Sequence, residues 1–348
     1  MKQFFTLFGL LLMVLSVSAQ KQVALSSSGE YLYFGGSDAF SKAYEAAIDG
    51  DTIYLPGLEY SAPTIEKQIV VYGTGFHPEA TEASGVTRLN GLHLRSQASG
   101  SYFEGILFEG SVSFGSGQKV DDVQFKRCFF NSSLSLSGPS DGYSKNVVIA
   151  ESILTAGFNG AGSYGLIFRN NILKNNSYNL MRNIHNSAWI HNNIISGRGY
   201  RTPNFQSRYM ILNISGALFE NNVIYNYDNS SYTFHSDVSN NTFLNNIFNY
   251  DPTDDNENTW ELNFIDVSIP DIFIDYIDDN FSFEENYKLE NPETFPGTIG
   301  PVGIFGGTIP VKDNYVPSVP HITSKNIERS LDESGSLFID IEVEAQDY

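Results

Sequence analysis

The chain has 348 residues, 41% of them hydrophobic and 14% aromatic, with 30 Gly, 13 Pro and one Cys. Such a composition is globular and excludes disordered, collagen-like and disulfide-stapled classes. Lys and Arg number 20 against 40 Asp and Glu, and a formal net charge of -20 argues against nucleic acid and anionic membranes as partners, because both would repel it.

Residues 1–19 read as a signal peptide. Lys2 gives the positive start, Phe4–Leu15 the apolar stretch and Val17-Ser18-Ala19 a small-residue cleavage pattern before Gln20. No later run approaches the roughly 20 apolar residues of a spanning helix, so no stable membrane insertion is expected after cleavage. The mature protein is expected to be exported, to the periplasm, the cell surface or the medium. With Cys128 as its lone cysteine, it has to be held by burial and backbone hydrogen bonding.

Asp38–Ile48 places Phe40, Ala43, Tyr44, Ala47 and Ile48 on one helical face, with Ser37 or Asp38 as N-cap. Thr52–Leu55, Ile69–Tyr72 and Thr87–Leu94 follow as strands. Then a pattern repeats: an apolar residue, three others, two apolar residues. It recurs at Tyr102–Leu107, Phe125–Phe130, Ile149–Leu154, Phe168–Leu173, Ile190–Ile195, Phe219–Ile224 and Phe243–Phe248, in steps of 23, 24, 19, 22, 29 and 24 residues. Apolar spacing within a unit is that of strands, as in Val123/Phe125 and Leu166/Phe168. Stacked coils of this kind pair every strand with the one a repeat away and enclose a narrow apolar interior, a parallel β-solenoid. Seven units at about 4.8 Å per coil give a body on the order of 35 Å long. The helix Asp38–Ile48 then has a role: it covers the open first coil, which would otherwise expose core and strand edges.

Asn-Asn precedes the last apolar pair in four successive units, at Asn170-Asn171, Asn192-Asn193, Asn221-Asn222 and Asn245-Asn246. Asn tolerates the left-handed conformation of a sharp corner, and amides stacked coil on coil hydrogen-bond in a ladder. Cys128 and Ser152 hold the second position in two earlier units, so Cys128 reads as a buried structural thiol.

On these residues the sequence resembles the right-handed parallel β-helix proteins of the pectin-lyase-like fold, in the version common among secreted proteins of Bacteroidetes. The entry Asp38-Ala39-Phe40 to Gly50-Asp51-Thr52-Ile53, the Asn-rich coils, and the tail Val302-Gly303-Ile304-Phe305-Gly306-Gly307 with Pro317 and Pro320 carry the resemblance. It implies an all-β right-handed parallel β-helix over residues 20–295 with its N-terminal cap, and a tail, 296–348, that packs on the helix or extends it. Leu337, Ile339, Ile341 and Val343 alternate with polar residues as a half-buried final strand. The fold hosts lyases, hydrolases, epimerases and adhesins. The Gly-His-Gly and Arg-Ile-Lys segments of its polygalacturonase-type members are absent, and Asp121-Asp122 stands as a lone pair.

Charge is segregated along the chain. Ser152–Phe219 has no Asp or Glu but contains Arg169, Lys174, Arg182, Arg198, Arg201, Arg208, His185 and His191. The 29-residue unit adds a projecting loop in this zone, so Arg198, Tyr200, Arg201, Arg208 and Tyr209 are candidate polysaccharide-binding residues, Arg for carboxylate or sulfate and Tyr for stacking on sugar rings. If that loop leaves the register unchanged, Arg182 and His235 share a face about two coils apart, with His185 close by and Asp237 on the His235 face. Arg182, His185, His235 and Asp237 are then candidate catalytic residues for β-elimination of a uronate, one stabilising the enolate and another taking the proton. Asp251–Glu293 carries 14 acidic residues and one Lys. Calcium at Asp254, Asp255, Asp278 and Asp279 is conceivable, although a solvated acidic surface interrupted by packing residues accounts for the composition. The leading reading is an exported β-helix protein that binds extracellular, acidic polysaccharide without established catalysis or cofactor; the alternatives are a polysaccharide lyase and a non-catalytic adhesin.

Overall fold

The computed structural model describes residues 22–136, 143–175, 180–185, 187–197, 200–201, 207–227, 235–252, 256–275, 280–328 and 330–345. The expected signal peptide lies outside them. Among the described residues the strands form three long sheets of 12, 9 and 8 strands, here A, B and C, and two small hairpins. Apart from an antiparallel start in sheet A, the three long sheets are parallel.

One coil shows how the residues make the turn. Ile167–Arg169 lies in sheet A, Ile172–Asn175 in sheet B and Met181–His185 in sheet C; Trp189–His191 then returns to sheet A, pairing with Ile167–Arg169. Asn170 makes the corner between A and B at φ 53°, and Asn192, Asn221 and Asn245 repeat it at 55°, 56° and 54°, in the left-handed region that Asn tolerates best among residues with a Cβ. The second Asn of each pair points inward as expected. Asn193 donates from its backbone N–H and its side-chain amide to Asn222 Oδ1, both at 2.9 Å, and Asn222 does the same to Asn246. Each amide also donates to a carbonyl of an earlier coil, Asn193 to Phe168 at 2.8 Å. At the other end Asn171 Oδ1 accepts from the N–H of Ser152, and Ser152 Oγ from the N–H of Cys128. Cys128 is fully buried, and burial pushes its thiol well above the usual range.

The first unit is closed by the helix Ala39–Ala46, which buries Phe40, Ala43 and Tyr44. The helix is shorter than expected: the backbone is extended at Ala47, so Ile48 leaves the apolar face and is 58% exposed. Asp38 pairs with Lys42 at 2.8 Å, and its side chain caps no backbone N–H.

In sheet B both members of six successive apolar pairs, Phe129-Phe130 to Ile247-Phe248, are buried. Phe130, Leu154, Leu173, Ile195, Ile224 and Phe248 belong to the interior cluster; Phe129, Ile153, Ile172, Ile194, Val223 and Ile247 belong to a second cluster outside the sheet. The chain that follows the last coil strand, Thr259–Glu261, covers that outer face with Ile272, Phe273, Tyr287, Leu289, Phe295, Val302, Ile304 and Val311. The packing residues of the acidic region are thus real. The tail is anchored on the corner asparagines: Asn170 Nδ2 donates to the carbonyls of Ile304 and Gly306, and Asn192 Nδ2 to that of Gly303. Gly306 is required there, since a Cβ would lie 1.8 Å from the Pro301 carbonyl oxygen. Farther on, Ser318 donates from N and Oγ to Glu104 at 2.8 and 2.7 Å. The expected half-buried final strand is different. His321–Ile327 and Ile339–Glu344 form an antiparallel hairpin whose Ile339, Ile341 and Val343 are 55%, 46% and 58% exposed, because the described residues pack nothing over it.

Candidate functional site

Sheet B is covered, which leaves the outer faces of A and C. On sheet C the register aligns His93, Ser113, Ser135, Asn159, Arg182, Leu212 and Ser236 in successive strands. A polar chain runs along this face. His93 Nδ1 and Ser113 Oγ are 3.0 Å apart, Asn159 donates to Ser135 at 3.2 Å, Asn183 to Asn159 at 2.9 Å, and Asn213 to Asn183 at 2.9 Å. Asn183, Asn213 and Asp237 occupy one position in their strands, each with left-handed φ of 55°, 54° and 54°. The kink at this position turns both Arg182 and His185 outward around the buried Ile184. His185 Nδ1 lies 3.1 Å from Ser215 Oγ.

The same coil continues into sheet A with Trp189, 43% exposed. Its indole stacks on His191 with centroids 3.9 Å apart and donates from Nε1 to Glu220 at 3.0 Å. Glu220 in turn accepts from Thr298 of the tail. The ring is therefore an exposed aromatic plate fixed on one face and one edge. Sequence reasoning missed it, although a signal was present: the aligned residues of the neighbouring coils, Val148, Ile167 and Leu218, are aliphatic, whereas Trp189 is a large amphipathic ring.

Arg182 and His235 do not share a strand position two coils apart as expected. Arg182 aligns with Leu212 and Ser236, whereas His235 aligns with Ile211 and Met181, which are buried. The 29-residue unit shifts the register of sheet C by one residue. Asp237, at its kink, is exposed and not at the His235 position. It borders a shallow depression of about 600 Å³ with Asn213, Ser215, Ser239, Asn256 and Glu257.

The basic zone also loses its isolation on folding. Arg169 pairs with Glu151 at 3.3 Å, and Lys174 is buried against Glu285 at 2.6 Å. Acids from just outside the zone and from the chain after the last coil neutralise what the linear sequence separates. The projecting loop is a small hairpin, Tyr200–Arg201 with Ser207–Arg208; Tyr209 follows it, half-buried. Arg198 lies outside the described residues, as do Asp254, Asp255, Asp278 and Asp279 of the conceived calcium site.

A family model described as periplasmic copper-binding protein (NosD) matches residues 47–270. The chain belongs to this family. No curated protein and no solved structure matches. NosD proteins are a periplasmic family, so this is an exported protein, and no helix among its described residues is long and apolar enough to cross a membrane. Copper sites draw on thiolate, thioether and imidazole donors, and the described residues of this NosD-family chain do not fit one. Among them no three His, Cys, Asp or Glu side chains converge. Cys128 is buried in the corner ladder, and Met181 and Met210 are both buried in the interior.

Proposed function

We propose that this NosD-family β-helix protein binds an extended polysaccharide along the outer face of sheet C and the adjoining corner of sheet A, without catalysis. The observation that carries the reading is the coil Met181–His191, where exposed Arg182, the amide of Asn183, His185 and the fixed plate of Trp189 follow one another in eight residues of chain. Aromatic plates stack on the apolar faces of sugar rings, and amides and hydroxyls in a row repeating at about 4.8 Å offer donors and acceptors to successive sugar hydroxyls. Dense negative charge on the ligand is not favoured, contrary to the sequence-based expectation: two cations of the basic zone are internally paired, and Asp237 and Glu257 border one end of the face. A neutral or sparsely charged glycan fits better. A lyase needs a base placed beside the enolate-stabilising charge; the register separates Arg182 from His235, which leaves His185, engaged through Nδ1 with Ser215, as the imidazole on its strand.

Affinity electrophoresis of the mature protein through gels containing neutral and uronate polysaccharides tests this. Retardation by a neutral glycan, reduced at least tenfold in both Trp189→Ala and Arg182→Ala, is expected. Equal mobility of wild type and both variants in every gel would refute it, and release of unsaturated sugar would replace binding by elimination.

A further inference from the structure

On the covered side of the helix, away from the polysaccharide face, the tail does not close completely on sheet B. A cavity of about 240 Å³ remains, smaller than the roughly 300–1,000 Å³ of typical ligand pockets and suited to a molecule of about one ring. Phe281, Phe283 and Phe305 give it aromatic walls; Lys288 and Lys312 line it, and so does Glu285, whose carboxylate is taken up by Lys174 and Tyr287. Two of its lining residues carry buried polar atoms with no hydrogen-bond partner, His77 Nδ1 and Tyr315 Oη. His77 is only 8% exposed. Buried polar atoms are almost always paired, so two orphans at one cavity call for a specific cause.

The backbone adds a second indication. Asn314 and Tyr315 hold φ of 59° and 50° in succession, a conformation that is costly for a bulky aromatic residue and is kept where the surroundings demand it. It sets the Tyr315 ring against Phe76, with centroids 5.4 Å apart. Burial raises the Tyr315 phenol and lowers the His77 imidazole, so at neutral pH the first keeps a proton to donate and the second carries no charge. Lys288 Nζ stands 5.7 Å from the Phe305 ring centroid, next to the aromatic wall. In a chain of net charge -20, a cavity combining ammonium groups, a phenol donor and phenyl walls is matched to one chemistry, a flat apolar body that ends in an anion.

We propose that this cavity is a binding site for a small planar carboxylate, an aromatic or conjugated monocarboxylate whose ring lies among Phe281, Phe283 and Phe305 and whose carboxylate meets Lys288 and the Tyr315 hydroxyl. The site is independent of the polysaccharide reading, since it lies on another sheet and shares no residue with it.

Isothermal titration of the full mature chain with sodium benzoate tests the proposal, with benzamide and inorganic phosphate as matched probes lacking the charge or the ring. The expected result is one saturable benzoate site per chain, at least tenfold weaker binding of both other probes, and a further loss of about tenfold in each of Tyr315→Phe and Lys288→Ala. Neither substitution removes core packing, and circular dichroism checks that the fold is kept. Absence of saturable benzoate binding overturns the proposal, as does benzoate affinity unchanged in both variants. Phosphate binding as tight as benzoate overturns the ligand class.

Discussion

The buried ammonium of Lys174 donates to both carboxylate oxygens of Glu285, at 2.6 and 2.8 Å, across 111 residues of chain. Lys174 is 0% exposed and Glu285 8%, so this pair locks the returning chain onto the sheet it covers. Tyr287 also donates to Glu285 and places its ring 5.4 Å from the Lys174 nitrogen.

Removing one member of such a pair strands the other charge in a poorly solvated site. Lys174→Met is expected to lower stability by about 3–5 kcal/mol, and Lys174→Met with Glu285→Leu to recover most of that loss. Urea unfolding of the wild type, the single variant and the double variant measures it. Equal stability of the single variant and the wild type would show that the chain is not fastened there.

The amide ladder makes a different demand, because each Asn serves two neighbours at once. Asn222→Leu conserves volume but withdraws the acceptor of two donors from Asn193. At about 1–3 kcal/mol for each buried group left unsatisfied, the loss is roughly 2–6 kcal/mol. A Ser135→Ala change in the outer polar row, where water replaces it as the acceptor of the Asn159 amide, is expected to cost less than about 1 kcal/mol. Comparable losses at the two positions, by the same urea titration, would sink the distinction between structural and surface ladders.

Protonation of His191 supplies a pH test. Burial of the ring holds its pKa below the ordinary 6.5, against an opposing pull from the Asn192 amide. Unfolded, the ring takes a proton near 6.5; folded, it takes one only at lower pH. Between those values the unfolded chain binds more protons, so this group's effect on stability is constant above pH 6.5 and turns unfavourable as pH falls below it. The melting temperature is expected to fall between pH 7.5 and 5.5, and less steeply in His191→Asn. Parallel profiles for the two proteins would exclude His191 as a contributor.

Much of the fold was legible because a coil is a local object. The corner Asn residues, the inward Asn, Ser152 and Cys128 of the ladder, and the strand-period apolar residues each reflect a requirement met within one repeat and its neighbours, so spacing along the chain reports spacing across it. Even the paired apolar residues of sheet B were visible, and two adjacent apolar positions on a strand already imply burial on both faces.

The site depended on relations that spacing does not carry. Whether His235 shares a strand position with Arg182 turned on a single residue gained in the 29-residue unit. Whether Arg169 and Lys174 offer charge to a ligand depended on Glu151 and Glu285, acids that lie outside the basic zone in sequence but against it in space. The repeating coil, its corners and its capped first end can be read from the chain alone, since those follow from local conformational preference and burial. Which faces remain open cannot be read that way, because it depends on where a distant segment comes to rest and which charges it neutralises on arrival.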